Sequence, residues 1–358
     1  MFCNSPFHNL HVMEDAYTTC CYGWFEEPEE FTVRIDDLYD RGEYKNLWDV
    51  WNHTKLKKLR KLWLSGDRKH GFPTECGPCG KRVEVGLNDK ILDEYTLDMK
   101  VGPRIIGFSN DLSCNLHCWT CRAKPIIERK QKKVWEQTTN VLETWKDDIR
   151  FIECIGSGDP FASSAWLDIL QNLDPKKYHP DFRIGLFTNG LLLEKYWKSI
   201  SNIHDSITTI RVSIDAVSKD VYERTRLGGK WEQLNKALEF IPKINKRIAL
   251  NMVVTADNFT DIPLFIKKGI EMNCSILNIT TMRYWPQMRG GFDRFHEMDL
   301  TREDHPKRQE FLELLEKERD LFKHPSVQAE RMMPKHQDEL VRKPTLRILS
   351  NNGENPRI

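Results

Sequence analysis

The chain has 358 residues, enough for one large domain or two smaller ones. Hydrophobic content of 39% supports a sizeable core, and 54 Lys+Arg against 53 Asp+Glu leave no bulk charge that would call for nucleic acid or a membrane surface. No apolar run approaches the roughly 20 residues of a membrane span, and Met1-Phe2-Cys3-Asn4-Ser5-Pro6 lacks the basic-then-apolar start of a secretory signal, so a cytoplasmic protein without membrane contact is expected.

In chain order, residues 1–100 are irregular and rich in aromatics and cysteine, with one helix at 46–64. Its basic part is amphipathic. Leu47, Trp51, Leu59, Leu62 and Trp63 approximate one apolar face, and Lys57, Lys58 and Lys61 lie outside it. Such a run reads as a solvated outer face in preference to a nucleic-acid site. Residues 101–285 alternate six short apolar strands, at 104–109, 150–155, 182–188, 207–214, 248–255 and 275–282, with helices at 132–148, 164–172, 191–200, 219–241 and 260–272. Strands separated by helices pair in parallel through right-handed crossovers. An all-parallel sheet is expected to be covered on both faces. The fold class is therefore α/β, a partial (β/α)6 TIM-like barrel with its chemistry at the C-terminal ends of the strands. Residues 286–358 form a polar extension with a charged helix at 300–324.

Ten cysteines in a cytoplasmic chain suggest metal or catalysis before disulfides. Eight of the ten cluster: Cys3, Cys20, Cys21, Cys76 and Cys79 in the first hundred residues, and Cys114, Cys118 and Cys121 after the first strand. The other two, Cys154 and Cys274, read as small hydrophobes in preference to hydrogen-atom donors. The segment 110–121 has C-x3-C-x2-C spacing. Three close thiolates can hold three irons of a cubane and leave the fourth open to a chelating ligand. The competing reading is structural zinc with His117 as fourth ligand. Zinc favours paired ligands from two strands or loops, and His117 directly precedes Cys118, which makes joint tetrahedral ligation awkward. The segments after the next strands also carry polar and glycine residues: Gly156-Ser157-Gly158-Asp159-Pro160, Thr188-Asn189-Gly190 and Ser213-Ile214-Asp215. Loops there line a barrel's mouth. Met282-Arg283-Tyr284-Trp285 leaves the sixth strand toward the same mouth.

The three-cysteine loop, with the strand-end segments that follow it over 104–282, resembles the radical S-adenosylmethionine (SAM) superfamily. The resemblance implies a [4Fe–4S] cluster on Cys114, Cys118 and Cys121 that cleaves SAM reductively to a 5′-deoxyadenosyl radical. It implies SAM contacts from Ser157, Gly158, Asp159, Thr188, Asn189, Ser213, Asp215 and Arg226, with Val253 facing adenine. Two positions depart from the family's pattern. Asp159 stands where a glutamate is usual, and Thr120 stands where an aromatic often precedes the last cysteine, with Trp119 one place earlier.

The N-terminal cysteines resemble the twitch or SPASM auxiliary-cluster module, in which a cysteine precedes a hairpin, a second cysteine and a helix follow, and C-x2-C ends the unit. Here the turn is Glu14-Asp15-Ala16-Tyr17, and either Cys20 or Cys21 is the second ligand. The module usually follows the barrel; here it precedes it. The alternative at these cysteines is a zinc knuckle. The chain divides accordingly into a twitch/SPASM-like auxiliary [4Fe–4S] domain at 1–100, a radical SAM barrel at 101–285 and the extension at 286–358. The function implied is a radical SAM oxidoreductase or modifying enzyme that abstracts hydrogen from a peptide or protein side chain or a small molecule, served by an electron donor such as flavodoxin or ferredoxin. The rival function is a non-enzymatic zinc or iron–sulfur adaptor contacting nucleic acid.

Overall fold

The computed structural model describes residues 5–19, 31–35, 46–65, 96–127, 131–154, 156–282, 284 and 288–330. Within them runs one sheet of ten strands: β1 (Asn9–Met13), β2 (Ala16–Thr18), β3 (Val33–Arg34), β4 (Ile105–Ser109), β5 (Phe151–Cys154), β6 (Arg183–Thr188), β7 (Ile207–Ser213), β8 (Arg247–Val254), β9 (Ile276–Thr281) and β10 (Val327–Glu330). β4 to β9 lie side by side in chain order, all parallel. Each begins and ends within one residue of its predicted limits. These are the apolar runs whose composition carries them.

Burial along these strands alternates, and this departs from the expectation of a sheet covered on both sides. Ile106, Phe108, Ile152, Cys154, Ile184, Leu186, Ile210, Val212, Leu250, Met252, Leu277 and Ile279 are at most 1% exposed and face the helices. On the opposite face, Glu153, Phe187, Arg211, Asn251 and Asn278 are only half-buried. That face looks into a lumen. Cys114, just past β4, and Thr280 to Met282, at the end of β9, line one cavity, so the sheet curls until its two ends share a space.

Four strands lie outside the predicted six: β1, β2, β3 and β10. β1 pairs in parallel with β4, and β10 in parallel with β9, so each extends the predicted six. Asn9-Leu10-His11-Val12-Met13 and Val327-Gln328-Ala329-Glu330 alternate polar and apolar residues, but over five and four residues the pattern is too short to stand out; pairing with a neighbouring strand's open backbone settles them. β1 turns at Glu14-Asp15 into β2, an antiparallel hairpin. The predicted helix at 219–241 is two helices, Lys219–Thr225 and Trp231–Phe240. Gly228 breaks it with φ +89°, a conformation that costs little only without a Cβ. The predicted helix at 300–324 is confined to Arg308–Lys317.

The N-terminal helices Leu47–Trp51 and Thr54–Ser65 pack on the barrel. Asn46 caps the first, with Asp49 completing a capping box. Trp48 and Trp51 meet Trp145 edge-on at 6.0 and 6.5 Å. Arg60, expected on no functional face, is fully buried. Its guanidinium lies 4.4 Å from the Trp51 ring centre and donates to the carbonyls of Pro6 (2.9 Å), Trp51 (2.8 Å) and Leu97 (3.3 Å). It ties three stretches distant in sequence. Lys57 pairs with Asp98 on the outside. The side chains of Leu62 and Trp63 lie outside the described residues. Arg60→Met keeps the stem's packing but orphans those acceptors, and we expect a loss of about 2–4 kcal/mol in urea unfolding.

Candidate active site

The cysteine loop begins where β4 ends. The Cys114 amide donates to the Ile126 carbonyl at 2.8 Å, which closes the loop on itself. The Cys118 carbonyl then accepts from the amides of Cys121 and Arg122, both at 2.9 Å, a single turn that brings the last two thiols to one side. All three cysteines line a cavity of about 370 Å³ at the strands' C-terminal ends. With them stand Ser157 and Gly158 after β5, Thr188 and Asn189 after β6, Ser213 and Asp215 after β7, Val253 from β8, and Arg226. The predicted contacts therefore share one wall, with the exception of Asp159.

Asp159 is 1% exposed and sits behind that wall. One carboxylate oxygen accepts from the Thr188 hydroxyl (2.9 Å) and the Asn189 amide (2.8 Å), and the other from the Phe161 amide (3.0 Å). Its reach is spent holding the β6 loop. That loop turns at Gly190, φ +83°, where a Cβ would meet Val212 at 2.9 Å. The shorter side chain at this position thus has a structural use inside the protein. Burial pushes the Asp159 carboxyl up, against these donors and Arg226.

Asp215 carries φ +57°, uncommon outside glycine and asparagine. It is held there from three sides: the Asn258 amide donates to its carbonyl (2.9 Å), the Val253 amide to its side chain (2.9 Å), and Arg226 pairs with it at 2.8 Å. Arg226 follows the Lys219–Thr225 helix, and the Gly228 break turns the chain back beneath it. Asp215 and Cys118 beside it raise the pKa of its guanidinium, against the cost of burial.

Each cysteine sulfur has its own N–H neighbours. Cys114 accepts from the Leu116 amide (3.4 Å) and the Asn189 side chain (3.8 Å). Cys118 accepts from Arg226 (3.7 Å). Cys121 accepts from Nε (3.3 Å) and Nη2 (3.2 Å) of Arg122. Arg122 also bonds the carbonyls of Leu112 and Ser157, so it clamps the cysteine loop to the glycine-rich loop. As free thiols these groups resist ionisation: burial and Asp159 push Cys114 up to about 12, and burial pushes Cys118 up, opposed by Arg226. Cys118 is buried and Cys114 half-buried, so their donors replace water that a thiolate would otherwise have, while Cys121 is exposed and has Arg122 beside it.

Residues 112–267 match the model of the radical SAM superfamily. This segment is a radical SAM domain. Among curated relatives, the chain is 27% identical over 128 residues to a probable GTP 3′,8-cyclase of Methanococcus maripaludis, covering 35% of this chain and 41% of that one. It is 26% identical over 151 residues to the FeMo cofactor biosynthesis protein NifB of Methanocaldococcus infernus, covering 38% and 45%. The chain thus spans less than half the length of these relatives. Among solved structures, Streptococcus suis SuiB bound to S-adenosylmethionine aligns with a TM-score of 0.44 at 13% identity, covering 64% of this chain and 50% of that one.

A radical SAM domain implies a [4Fe–4S] cluster and SAM, and the donor set fits. Three thiols face one cavity, each with an N–H donor. No three Cys, His, Asp or Glu side chains among the described residues converge on a single-ion point. Zinc would need such convergence, with ligands at about 2.0–2.3 Å, whereas a cubane is gripped at separate corners. His117, the fourth ligand of the zinc alternative, is absent from the cavity wall. Its ring packs on Gly228 and its amide donates to Leu227 (3.0 Å).

Other expectations sort as follows. Thr120 lines the cavity, while Trp119 is buried with Arg294 5.2 Å from its ring centre. Met282 lines it too; Tyr284 stands exposed against Phe292 and Phe295, and Arg283 and Trp285 lie outside the described residues. Cys154 faces the helices and Cys274 is buried, neither on the cavity wall. Cys3, Cys20, Cys21, Cys76 and Cys79 lie outside the described residues. Arg122 is the functional residue that sequence reasoning passed over; the only signal was a cation directly after the last thiol.

Asp159→Ala removes the acceptor of three buried donors, and we expect about 3 kcal/mol of lost stability in chemical unfolding, with Asp159→Asn milder. Arg122→Gln should lower the iron retained after anaerobic desalting several-fold, and Arg122→Lys should recover part of it; equal retention in all three proteins would show that the clamp does not hold the cluster.

Proposed function

We propose that the chain is a radical SAM enzyme that abstracts a hydrogen atom from a substrate carbon. One observation supports this above the others: three thiols, each with its own N–H donors, share a cavity with the polar ends of four neighbouring strands. Cys114, Cys118 and Cys121 hold the [4Fe–4S] cluster through three irons. The bound cluster supplies an electron to SAM and so a 5′-deoxyadenosyl radical.

The chain's own residues then have distinct tasks. Gly158, Asn189 and Ser213 offer backbone and side-chain polar groups to the ligand, and Asp215 and Arg226 meet its charged end. Val253 covers adenine. Asp159 acts from behind by fixing Thr188 and Asn189. Arg122 and Arg226 offset the negative charge of the thiolates.

The net reaction is an oxidation or modification of a peptide or protein side chain, or of a small molecule. Cys3, Cys76, Cys79 and either Cys20 or Cys21 would hold a second cluster, which would supply an acceptor for the substrate's electron, and a flavodoxin or ferredoxin would serve as the electron donor. Anaerobically reconstituted protein with dithionite should convert SAM to 5′-deoxyadenosine, and Cys118→Ala should lower that rate at least a hundred-fold. Zinc without sulfide, with salt-sensitive nucleic-acid binding, would instead favour the adaptor reading. Cys76→Ala/Cys79→Ala should halve the iron and sulfide counts while leaving the first cluster's spectrum in place.

A further inference from the structure

The lumen beneath the cavity holds a layer of polar side chains that the cysteine chemistry does not use. Glu153 on β5, Arg211 on β7, Asn251 on β8 and Asn278 on β9 all belong to the face opposite the helix-packed core. Register sets them on a diagonal across the lumen: Glu153 lies opposite Gly185, which pairs with Thr209; Arg211 lies opposite Phe187 and Ala249; and Asn251 lies between Ser213 and Asn278. Arg211, Asn251 and Asn278 each precede a cavity-lining residue, Ser213, Val253 and Thr280, by two positions. They therefore point the same way, about 6–7 Å deeper along the strands.

A packed barrel interior is built from layers of branched apolar side chains. This layer is ionic, and it is solvated: the Arg211 side chain is 41% exposed and Glu153 26%. Arg211 and Glu153 approach only to 3.6 Å, beyond hydrogen-bond range. Arg211 lies over the cavity-lining Phe187, 4.7 Å from its ring centre. Stacking orients the guanidinium plane; its Nη2 makes a loose ion pair with Glu153, and its donors make no hydrogen bond among the described residues.

We infer that Arg211, with Glu153 beside it and Asn251 and Asn278 one step nearer the cavity, recognises an oxyanion on the substrate, a carboxylate or a phosphate, and so holds it below the cavity. The guanidinium edge suits such a group bidentately, and the two asparagines, level with Ser213, offer neutral donors and acceptors to the rest of the ligand. That the occupant is the substrate rests on the proposed function; that the layer binds an oxyanion does not.

The test is equilibrium dialysis of the anaerobically loaded, SAM-bound protein against two probes, GTP and individual L-amino acids. Wild type should bind one probe class. Arg211→Gln should weaken that binding about ten- to a hundred-fold, the range for a charge-assisted pair, and Arg211→Lys should recover part of it. Both variants should keep the wild-type melting transition, since the side chain is half-exposed. Glu153→Gln separates the sources: a phosphate binds more tightly once the neighbouring carboxylate is gone, and an amino acid more weakly as its ammonium loses a partner. Equal binding by wild type and Arg211→Gln, or no binding of either probe by wild type, would overturn the inference. Failure of SAM cleavage with probe binding intact would instead sink the proposed function alone.

Discussion

A thiolate shielded from water must be met by hydrogen-bond donors, and the 114–121 loop, with Cys118 buried, Cys114 half-buried and Cys121 exposed, draws donors from three directions. Arg122 comes from the loop itself, Arg226 from a helix break, and Asn189 from the end of β6. Each donor depends on further structure. Asn189 stands where Asp159 holds its backbone. Arg226 reaches Cys118 because the chain after Thr225 turns at Gly228. The geometry of the cysteines is thus underwritten by residues that never touch a sulfur atom.

The sheet's one-sidedness has the same organising effect at larger scale. Helices bury one face of β4 to β9, and the other face curls around a lumen. Curling brings the β4 loop and the end of β9 to one cavity and aims every second residue of each strand inward. Positions one step apart along a strand therefore belong to different worlds. Val212 packs under a helix, while Arg211 and Ser213 face the lumen and the cavity.

Buried guanidinium groups serve as long-range ties. Arg60 joins the carbonyls of Pro6, Trp51 and Leu97. Arg122 joins the carbonyls of Leu112 and Ser157 to a cysteine sulfur. A planar fork with several fixed donors can satisfy several acceptors at once, which a lysine cannot do with the same geometry. Through Arg60 and the Trp48–Trp51–Trp145 contacts, the N-terminal segments share the barrel's core.

The amino-acid sequence alone determined the six central strands, because each is an apolar run bounded by turn residues, and it determined the three-cysteine loop, because ligand spacing is a local property. It also marked the strand ends that form the cavity wall. Only the tertiary structure decided that β1 and β10 extend the sheet, since such short alternating runs become strands only beside a neighbour whose backbone they can pair with. It also decided that Asp159 turns inward while Arg122 turns to the sulfur, because the direction of a carboxylate or a guanidinium is set by acceptors and donors far away in the chain. The ion pair in the lumen belongs to the same class: Glu153 and Arg211 approach to 3.6 Å only because β5 and β7 both pair with β6.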